Sequence, residues 1–422
     1  EATHVGLDKL VAKYTNVRRR GRQIAHTMSS RHLTRSMRRL SSKAESAGKH
    51  VPWTVSGLGT GAYTAATKGC FDVIARCAPQ VQKAVDMALA ARARAGNSNT
   101  TPFNIADFGT ADGGTSLPLL TSVVGAVRAA EPRAPIVVHY EDQAMNDWQS
   151  VFKLVHGEIP DGPATYMDGR ADNVYVLASG TSFYKQCFPP ASIDLGFCAT
   201  AMHWLTAPPA GGLPDALHSA ASSDAAAKAS FAAQAASDWE AILLERAAEL
   251  KSGGQLMVAN FAVDDDGQYL GTSHRVKHAM HPTFSELWRE VAGDAVHAAT
   301  NFPNEYRPLS ACVAPFESGG RATAAGLVLQ SAECDLVECP FLNEWRAGVV
   351  TDAAEQARRF VPTTRTWSNS TFVAGAVASG HAPAEAASMA DEMFARYEAR
   401  VAEDPNNHAM DYVHSYFHAS KA

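Results

Sequence analysis

The stretch 103–130 constrains the fold of this 422-residue chain more than any other. An apolar, strand-like run at 103–108 stops at three closely spaced glycines between positions 109 and 114, and an apolar helical run starts at Leu117. A strand that turns at glycines directly into a helix lets the backbone approach a nucleotide closely. The stretch therefore predicts the first strand–loop–helix unit of a nucleotide-binding α/β sheet.

The glycine spacing of this loop indicates which nucleotide it suits. It reads G-x-x-x-G-G, which differs from the dinucleotide fingerprint G-x-G-x-x-G. The spacing suits a Rossmann-like domain that binds S-adenosylmethionine, with the amino-acid end of that cofactor over the loop. Taken alone, the loop is equally compatible with an ordinary tight turn.

A second buried-strand candidate, Pro135–Tyr140, ends in the acidic pair Glu141 and Asp142. A carboxylate at the tip of the second strand is where α/β sites bind the ribose hydroxyls, because ionised oxygens only accept hydrogen bonds. The alternative is a helix N-cap for the helical run that follows. The complete order of strand, glycine loop, helix, strand and acid favours the ribose role.

Strand-like and helical runs alternate from Phe103 onward, which predicts a mostly parallel sheet covered on both faces. Loops after the strands then share one sheet edge, where the ligand is expected. A late run at 411–419 is predicted as an edge strand. The predicted strands are 103–108, 135–140, 173–178, 192–198 and 254–261, and the predicted helices are 116–130, 146–156, 224–251, 283–292, 352–361 and 383–401.

Composition and charge divide the chain further. Hydrophobic residues make up 46% and charged residues 19%, which is typical of a globular protein, and no apolar run is long enough to span a bilayer. The first 50 residues hold 12 Lys and Arg against 3 Asp and Glu, which matches a transit peptide or a basic amphipathic helix. Nucleic-acid binding ranks behind both, because the rest of the chain is acidic. We expect a basic extension at 1–50, a cofactor domain at 51–265 plus 402–422, and a mainly helical cap at 266–401.

The seven cysteines contain no C-x-x-C pair. This pattern argues against a disulfide framework or a structural zinc site and for a reducing compartment. The expected location is therefore the cytoplasm, or a plastid or mitochondrion if the basic segment is a targeting sequence. No membrane or nucleic-acid partner is expected.

Five blocks in order make the chain resemble the SABATH family of plant-type carboxyl methyltransferases. These enzymes transfer a methyl group from S-adenosylmethionine to small acids such as salicylate or jasmonate, and some methylate ring nitrogens. The resemblance implies a Rossmann-like class I methyltransferase fold with a seven-stranded, mostly parallel sheet, a small-molecule acceptor and a homodimer. The blocks are GLGTGAYTAATKGC at 57–70, IADFGTADGGTSL at 105–117, HYEDQAMNDWQSVFK at 139–153, SFYKQCFPPASIDLGFCATAMHWL at 182–205, and DWEAILLERAAELKSGGQLMVANF at 238–261, followed by NFPNEY at 301–306.

The resemblance also implies roles for individual residues. Trp204 would direct its indole N–H, which is only a donor, at the acceptor carboxylate, with His203 beside it. The two are thus the candidate catalytic residues. Without the family context, a core aromatic is the better interpretation of Trp204, and His203 is equally explained as a buried imidazole. The candidate cofactor-binding residues are Tyr63, Asp107, Gly109, Asp112, Asp142, Gln143, Ser182 and Phe183, and the candidate acceptor-binding residues are Thr67, Cys70, His203 and Trp204.

Two departures from the family pattern affect the expected acceptor site. Cys70 stands where the family has a glutamine that shares the carboxylate, and Thr67 stands where it has a serine. A thiol is a weak donor, so one arm of the carboxylate site is weakened. The residues 198–200 replace Ser-Ser-Tyr and remove an aromatic wall. We therefore expect an acceptor other than a flat aromatic acid.

No metal is expected, because the carboxylate that would help bind magnesium in some relatives aligns near Ala298 and only Asn301 matches. A carboxylate acceptor needs no general base, since it is ionised near neutral pH. An amine, thiol or hydroxyl acceptor would instead make His203 the candidate proton acceptor. Three alternatives remain: methyl transfer to sulfur or nitrogen, a nicotinamide-dependent oxidoreductase, and a non-catalytic binding module.

Overall fold

The computed structural model describes residues 57–168 and 172–422. The basic extension predicted at 1–50 lies outside the described residues. The strands are β1 Phe103–Phe108, β2 Ile136–Glu141, β3 Val174–Ser179, β4 Ile193–Ala199, β5 Leu250–Val263, β6 Arg307–Pro308, β7 Leu327–Val337 and β8 Tyr412–Lys421. The helices are α1 Ala62–Ala66, α2 Lys68–Arg94, α3 Leu117–Ala130, α4 Trp148–Val155, α5 Ala225–Glu249, α6 Met280–Ala298, α7 Leu309–Val313, α8 Arg321–Ala324, α9 Pro340–Arg346, α10 Ala353–Ala378 and α11 Pro383–Glu403.

The strands form a mixed sheet with the order β3-β2-β1-β4-β5-β8-β7. Strands β1 to β5 pair in parallel with one another, whereas β8 runs antiparallel to both β5 and β7. The mostly parallel sheet is therefore confirmed. The predicted count of seven fits this continuous path, and the two-residue β6, which pairs with β5 off the path, raises the total to eight.

One detail of the predicted sheet is wrong. The late strand β8 is not at the edge, because β7 pairs along its outer side. Residues 412–419 of this strand are all buried. In addition, the segment 266–401, predicted as a helical cap, contributes β7 to the sheet. The division into cap and cofactor domain stays a prediction.

Apolar side chains cover both faces of the sheet. On one face, Val81 of α2 and Val123 of α3 join the same buried cluster as Ile105 of β1. On the other face, Trp239 of α5 packs edge-on against Phe417 of β8, with ring centroids 5.7 Å apart. This two-sided packing is what a parallel sheet with helical crossovers requires.

The helices after β5 are joined through aromatic contacts. The Phe284 ring of α6 lies 5.8 Å from Phe372 of α10 and 5.0 Å from Tyr397 of α11, both edge-on. Such pairs stabilise beyond their burial alone. No helix within the two described ranges is long and apolar enough to cross a membrane.

Candidate functional site

The loop after β1 is braced from within by Asp107. Its carboxylate accepts hydrogen bonds from Thr110 Oγ1 at 2.8 Å and Ser116 Oγ at 2.6 Å. Burial raises the pKa of Asp107 to about 6. Gly109 has φ 68°, and a Cβ there would lie 2.2 Å from the Cβ of Ala201. The glycine thus allows both the turn and the close approach of the chain that follows β4.

The acidic pair after β2 contacts this loop directly. Glu141 Oε2 accepts a hydrogen bond from Gly109 N at 3.1 Å. Asp142 accepts from Ala111 N at 2.8 Å and from Gln143 N at 2.6 Å, one on each oxygen. Each oxygen of Asp142 therefore retains acceptor capacity for a further hydroxyl.

The electrostatics of this pair follow from burial. Burial, together with the neighbouring Asp142, raises the pKa of Glu141 well above its usual value. Burial raises the pKa of Asp142 to about 6. The helix-cap alternative for Asp142 is wrong, because Asp147 caps α4 by accepting from Ser150 N.

The segment before α2 is fastened over the same loop. Thr64 donates to Asp112 through its backbone N, at 2.8 Å, and through Oγ1, at 2.5 Å. A Cβ on Gly114 would lie 2.2 Å from Thr64 Oγ1, so the glycine makes room for this contact. Farther upstream, Gly59 N donates to the Asp147 carboxylate at 3.0 and 3.1 Å. Asp112 thus serves as a link between the loop and the Tyr63 segment.

Three predicted residues, Tyr63, Thr67 and Cys70, meet at the end of β4. The Thr200 side chain lies beside those of Tyr63 and Cys70, and the Thr67 side chain also lies beside Cys70. Thr67 Oγ1 additionally donates to the Tyr63 carbonyl at 2.7 Å. Burial raises the pKa of the Cys70 thiol to about 12, so it stays protonated at neutral pH.

The Ser182–Phe183 turn after β3 reaches the cofactor loop from the other side. Phe183 Cε1 lies 3.7 Å from the position of a Cβ on Gly109. Arg246 of α5 anchors the turn, since its guanidinium donates to the carbonyls of Phe183 at 2.7 Å and Lys185 at 2.9 Å. The sequence did not point to Arg246, because its only signal is a charged residue among the apolar residues of a predicted helix.

Trp204 and His203 follow β4 on the acceptor side. Trp204 is half-buried and forms a β-bridge with Asn304. The Tyr184 hydroxyl donates to the Trp204 carbonyl. The buried ring of His203 lies edge-on to Phe261 with centroids 4.8 Å apart, and 5.4 Å from the Trp204 ring. The two predicted catalytic residues therefore sit side by side at the carboxyl edge of the sheet.

A second histidine, His218, joins this region from a loop. Its ring stacks on Tyr306 at 4.0 Å and on His281 of α6 at 4.7 Å. Asn304, two residues before Tyr306, is buried beside it. Sequence reasoning gave His218 and Asn304 no role, because the Ala- and Ser-rich loop around 218 has no periodicity that would place it.

Asn301 has a structural role in this chain. Its side chain accepts from Leu213 N at 2.9 Å and donates to the carbonyls of Leu213 and Ala216 at 3.3 Å each. No group of three or more His, Cys, Asp or Glu side chains in the described part of the chain is arranged to hold a metal.

The comparisons with known proteins concern both sequence and fold. Residues 50–296 match the profile of a family described as SAM dependent carboxyl methyltransferase. Among curated relatives, the chain is 29% identical over 166 residues to the O-methyltransferase acrG of Aspergillus aculeatus, covering 38% of this chain and 40% of that protein. It is 26% identical over 227 residues to a probable 7-methylxanthine methyltransferase of Theobroma cacao, covering 50% and 58%. It is 25% identical over 211 residues to gibberellic acid methyltransferase 2 of Arabidopsis thaliana, covering 46% and 52%.

The chain thus spans about half the length of the curated relatives it matches. Its fold is similar to a loganic acid methyltransferase solved with S-adenosylhomocysteine. The TM-score is 0.65 at 15% identity, over 88% of this chain and 98% of that one. This likeness confirms the predicted Rossmann-like class I methyltransferase fold.

Proposed function

Because the chain belongs to the S-adenosylmethionine-dependent carboxyl methyltransferase family, as predicted, we propose that it methylates the carboxylate of a small organic acid. The observation that supports this most directly is a convergence at one sheet edge. The loop at Gly109 packs against Ala201, only three residues before Trp204. Cofactor-binding and acceptor-binding candidates are therefore neighbours. The family match also disfavours the nicotinamide-dependent alternative.

The residues at the sheet edge fit the cofactor. Bound S-adenosylmethionine supplies a methyl group activated on a sulfonium. Asp142 would accept hydrogen bonds from the two ribose hydroxyls, since each of its oxygens holds only one backbone donor. Phe183 would pack on the adenine, beside Ser182 and Gln143. The loop held by Asp107 and Asp112, with Tyr63 fastened above it, would enclose the amino-acid end.

The chain's task toward the acceptor is binding and orientation. A carboxylate is ionised at neutral pH and needs no proton acceptor. Trp204 would donate its indole N–H to one carboxylate oxygen, and the other oxygen would then face the methyl group of the cofactor. Holding the reacting atoms close and excluding water then supplies the rate enhancement. Cys70 and Thr67 would border the same position, with Cys70 acting as a neutral thiol.

A nitrogen or sulfur acceptor is the second candidate function. The observation that favours it is Cys70 in place of the family glutamine, and the relative from Theobroma cacao is named for a xanthine. In that reaction, His203 would receive or orient the acceptor proton. A non-catalytic binding module is the third candidate function.

The deciding experiment uses methyl-labelled S-adenosylmethionine and the small-acid fraction of a cell extract, followed by mild alkali. Label released as methanol identifies a methyl ester and supports the carboxylate acceptor. Alkali-stable label identifies a nitrogen, sulfur or ether product and would refute it. Cofactor binding without any labelled product would favour the binding module. The variant Trp204→Phe keeps an aromatic ring and removes the indole donor, so it tests whether that N–H group binds the acceptor carboxylate.

The assembly and location of the protein are also proposals. The family resemblance supports a homodimer, which light scattering of the purified protein would test. The basic composition of residues 1–50 supports a targeting role. A fluorescent fusion with and without this segment would distinguish plastid or mitochondrial import from a cytoplasmic location.

A further inference from the structure

The hydrogen bonding of His218 fixes which ring nitrogen carries the proton. Its Nδ1 accepts a hydrogen bond from Ala220 N at 3.0 Å. A neutral imidazole that accepts at Nδ1 must carry its proton on Nε2. Burial lowers the pKa of His218 well below its usual value, so the ring is neutral. His218 therefore presents an Nε2–H donor.

This donor is buried with polar neighbours that also lack protein partners. His218 is 0% exposed and Asn304 is 1% exposed. The two side chains interact with each other, but neither Nε2 of His218 nor the amide atoms of Asn304 make a hydrogen bond of normal geometry to any protein group. Buried polar groups are almost always hydrogen-bonded, so such a cluster requires an explanation.

The cluster lies beside the proposed acceptor position. Asn304 forms a β-bridge with Trp204, so the two residues lie side by side across that bridge. The rings of His203 and His218 both lie near the Tyr306 ring, with centroid distances of 6.2 and 4.0 Å. The two orphaned groups thus adjoin both residues that the sequence selects for the acceptor.

We propose that the Nε2–H of His218 and the Nδ2–H of Asn304 form a second donor arm that binds the acceptor carboxylate together with Trp204. The inference rests on the proposed function and specifies its substrate class. The acceptor is an ionised carboxylate held by neutral N–H groups. The arm takes over the role that the family glutamine would have and that the weak thiol donor of Cys70 cannot supply.

Two substitutions of His218 separate this role from a structural one. His218→Asn keeps an acceptor near the position of Nδ1 for Ala220 N and removes the Nε2–H. His218→Gln places an amide near the position of Nε2 and loses the acceptor for Ala220. The assay is alkali-labile methyl transfer to the small-acid fraction of a cell extract, at limiting and at saturating amounts of that fraction. Calorimetric binding of S-adenosylhomocysteine reports whether the fold and cofactor site are intact.

With the donor arm in place, we expect His218→Asn to lower the rate at limiting acid about tenfold or more, because a hydrogen bond to a charged group is lost. His218→Gln should retain most of this rate, and both variants should bind S-adenosylhomocysteine like the wild type. A His218→Asn variant with wild-type rates, together with a weaker His218→Gln variant, would show that the ring only supports the backbone and would overturn the inference. A wild type that yields no alkali-labile label overturns the proposed function first and this inference with it.

Asn304→Leu keeps the test decisive if His218 variants do not fold. Leucine removes an unpartnered buried amide at similar volume, so we expect the melting temperature to stay the same or rise. The rate at limiting acid should nevertheless fall about tenfold. A variant that is equally stable and equally active would overturn the inference, with a buried water as the remaining partner of the two groups.

Discussion

The link between Thr64 and Asp112 offers the sharpest test of how the cofactor site closes. Thr64→Val removes the hydroxyl that donates to Asp112 Oδ1 at 2.5 Å and keeps the branched shape of the side chain. Thr64 N still donates to Oδ2. Oδ1 then has only Gly114 N, at 3.4 Å, although Asp112 is 3% exposed. The substitution therefore weakens one contact between the Tyr63 segment and the loop without changing its packing.

The size of the effect follows from the charge of the acceptor. A hydrogen bond to a charged group contributes about 1.5–3 kcal/mol. If this free energy holds the Tyr63 segment against the loop, and cofactor binding requires that position, the dissociation constant of S-adenosylhomocysteine rises about 10- to 100-fold. Burial already raises the pKa of Asp112. The bond from Thr64 favours the ionised carboxylate, so its loss raises this pKa further. The difference between Thr64→Val and the wild type should therefore shrink as the pH falls and Asp112 takes up a proton in both proteins.

Calorimetry on the wild type, Thr64→Val and Thr64→Ser measures this effect. Thr64→Ser keeps the hydroxyl and loses only a methyl group, so it should bind S-adenosylhomocysteine within about threefold of the wild type. Equal affinity of Thr64→Val and wild type, with a lower melting temperature for the variant, would refute the coupling: the bond would then stabilise the fold alone. Because Thr64→Ser keeps the hydroxyl, equal weakening in both variants would refute the assignment of the effect to the hydroxyl bond.

Three further predictions concern the cofactor edge and the core. Because burial raises the pKa of Asp142 to about 6, its carboxylate takes up a proton as the pH falls below that value. S-adenosylhomocysteine should then bind about tenfold more weakly for each pH unit. Calorimetry should show that the Asp142→Asn variant loses this pH dependence. Arg246→Met leaves Glu249, which is 1% exposed, without its cation, so the free energy of unfolding in urea should fall by about 3 kcal/mol or more. Adding Glu249→Gln should restore part of this stability. The double variant should not recover the cofactor affinity, since the Ser182–Phe183 turn stays unanchored. Gly69→Ala should lower the free energy of unfolding by about 1–3 kcal/mol, because its Cβ would lie 2.3 Å from a tyrosine ring of β8. Gly125→Ala in α3 should instead raise the free energy of unfolding by up to about 1 kcal/mol, since a Cβ there would have nothing within 4 Å. Equal effects of the two alanines in urea unfolding would contradict this packing argument.

The fold around the proposed cofactor site could be predicted because the elements that form it are close in sequence. The strand β1, its glycine turn and the helix α3 follow one another within 28 residues, and each has a strong local signal. The acids after β2 follow from the same unit, since parallel strands end at one edge. The helix α2 was missed, although its apolar positions recur with helical spacing, because Pro79 interrupts the run. Strand β7 was missed because its residues are mostly half-buried and alternate weakly.

The acceptor half of the candidate site has weaker local signals, because its proposed residues are far apart in sequence. Cys70 comes from α2, Trp204 from the loop after β4, His218 from an irregular loop and Asn304 from the approach to β6. The family resemblance named Cys70 and Trp204, whereas the bridge that brings Asn304 beside Trp204 is a contact that no local pattern encodes.

This separation has a consequence for how specificity can change in such a fold. Part of the cofactor loop is held by bonds among its own residues, since Asp107 accepts from Thr110 and Ser116, and these bonds do not depend on the acceptor side. In the proposed arrangement, a glutamine can be lost at position 70 if another element supplies an N–H donor to the acceptor carboxylate. His218 would be that donor, with a proton fixed on Nε2 by a backbone bond on the opposite nitrogen. A Cys70→Gln substitution in the His218→Asn background should therefore recover methyl transfer to the acid fraction, whereas Cys70→Gln alone should change it little, because one donor arm already suffices.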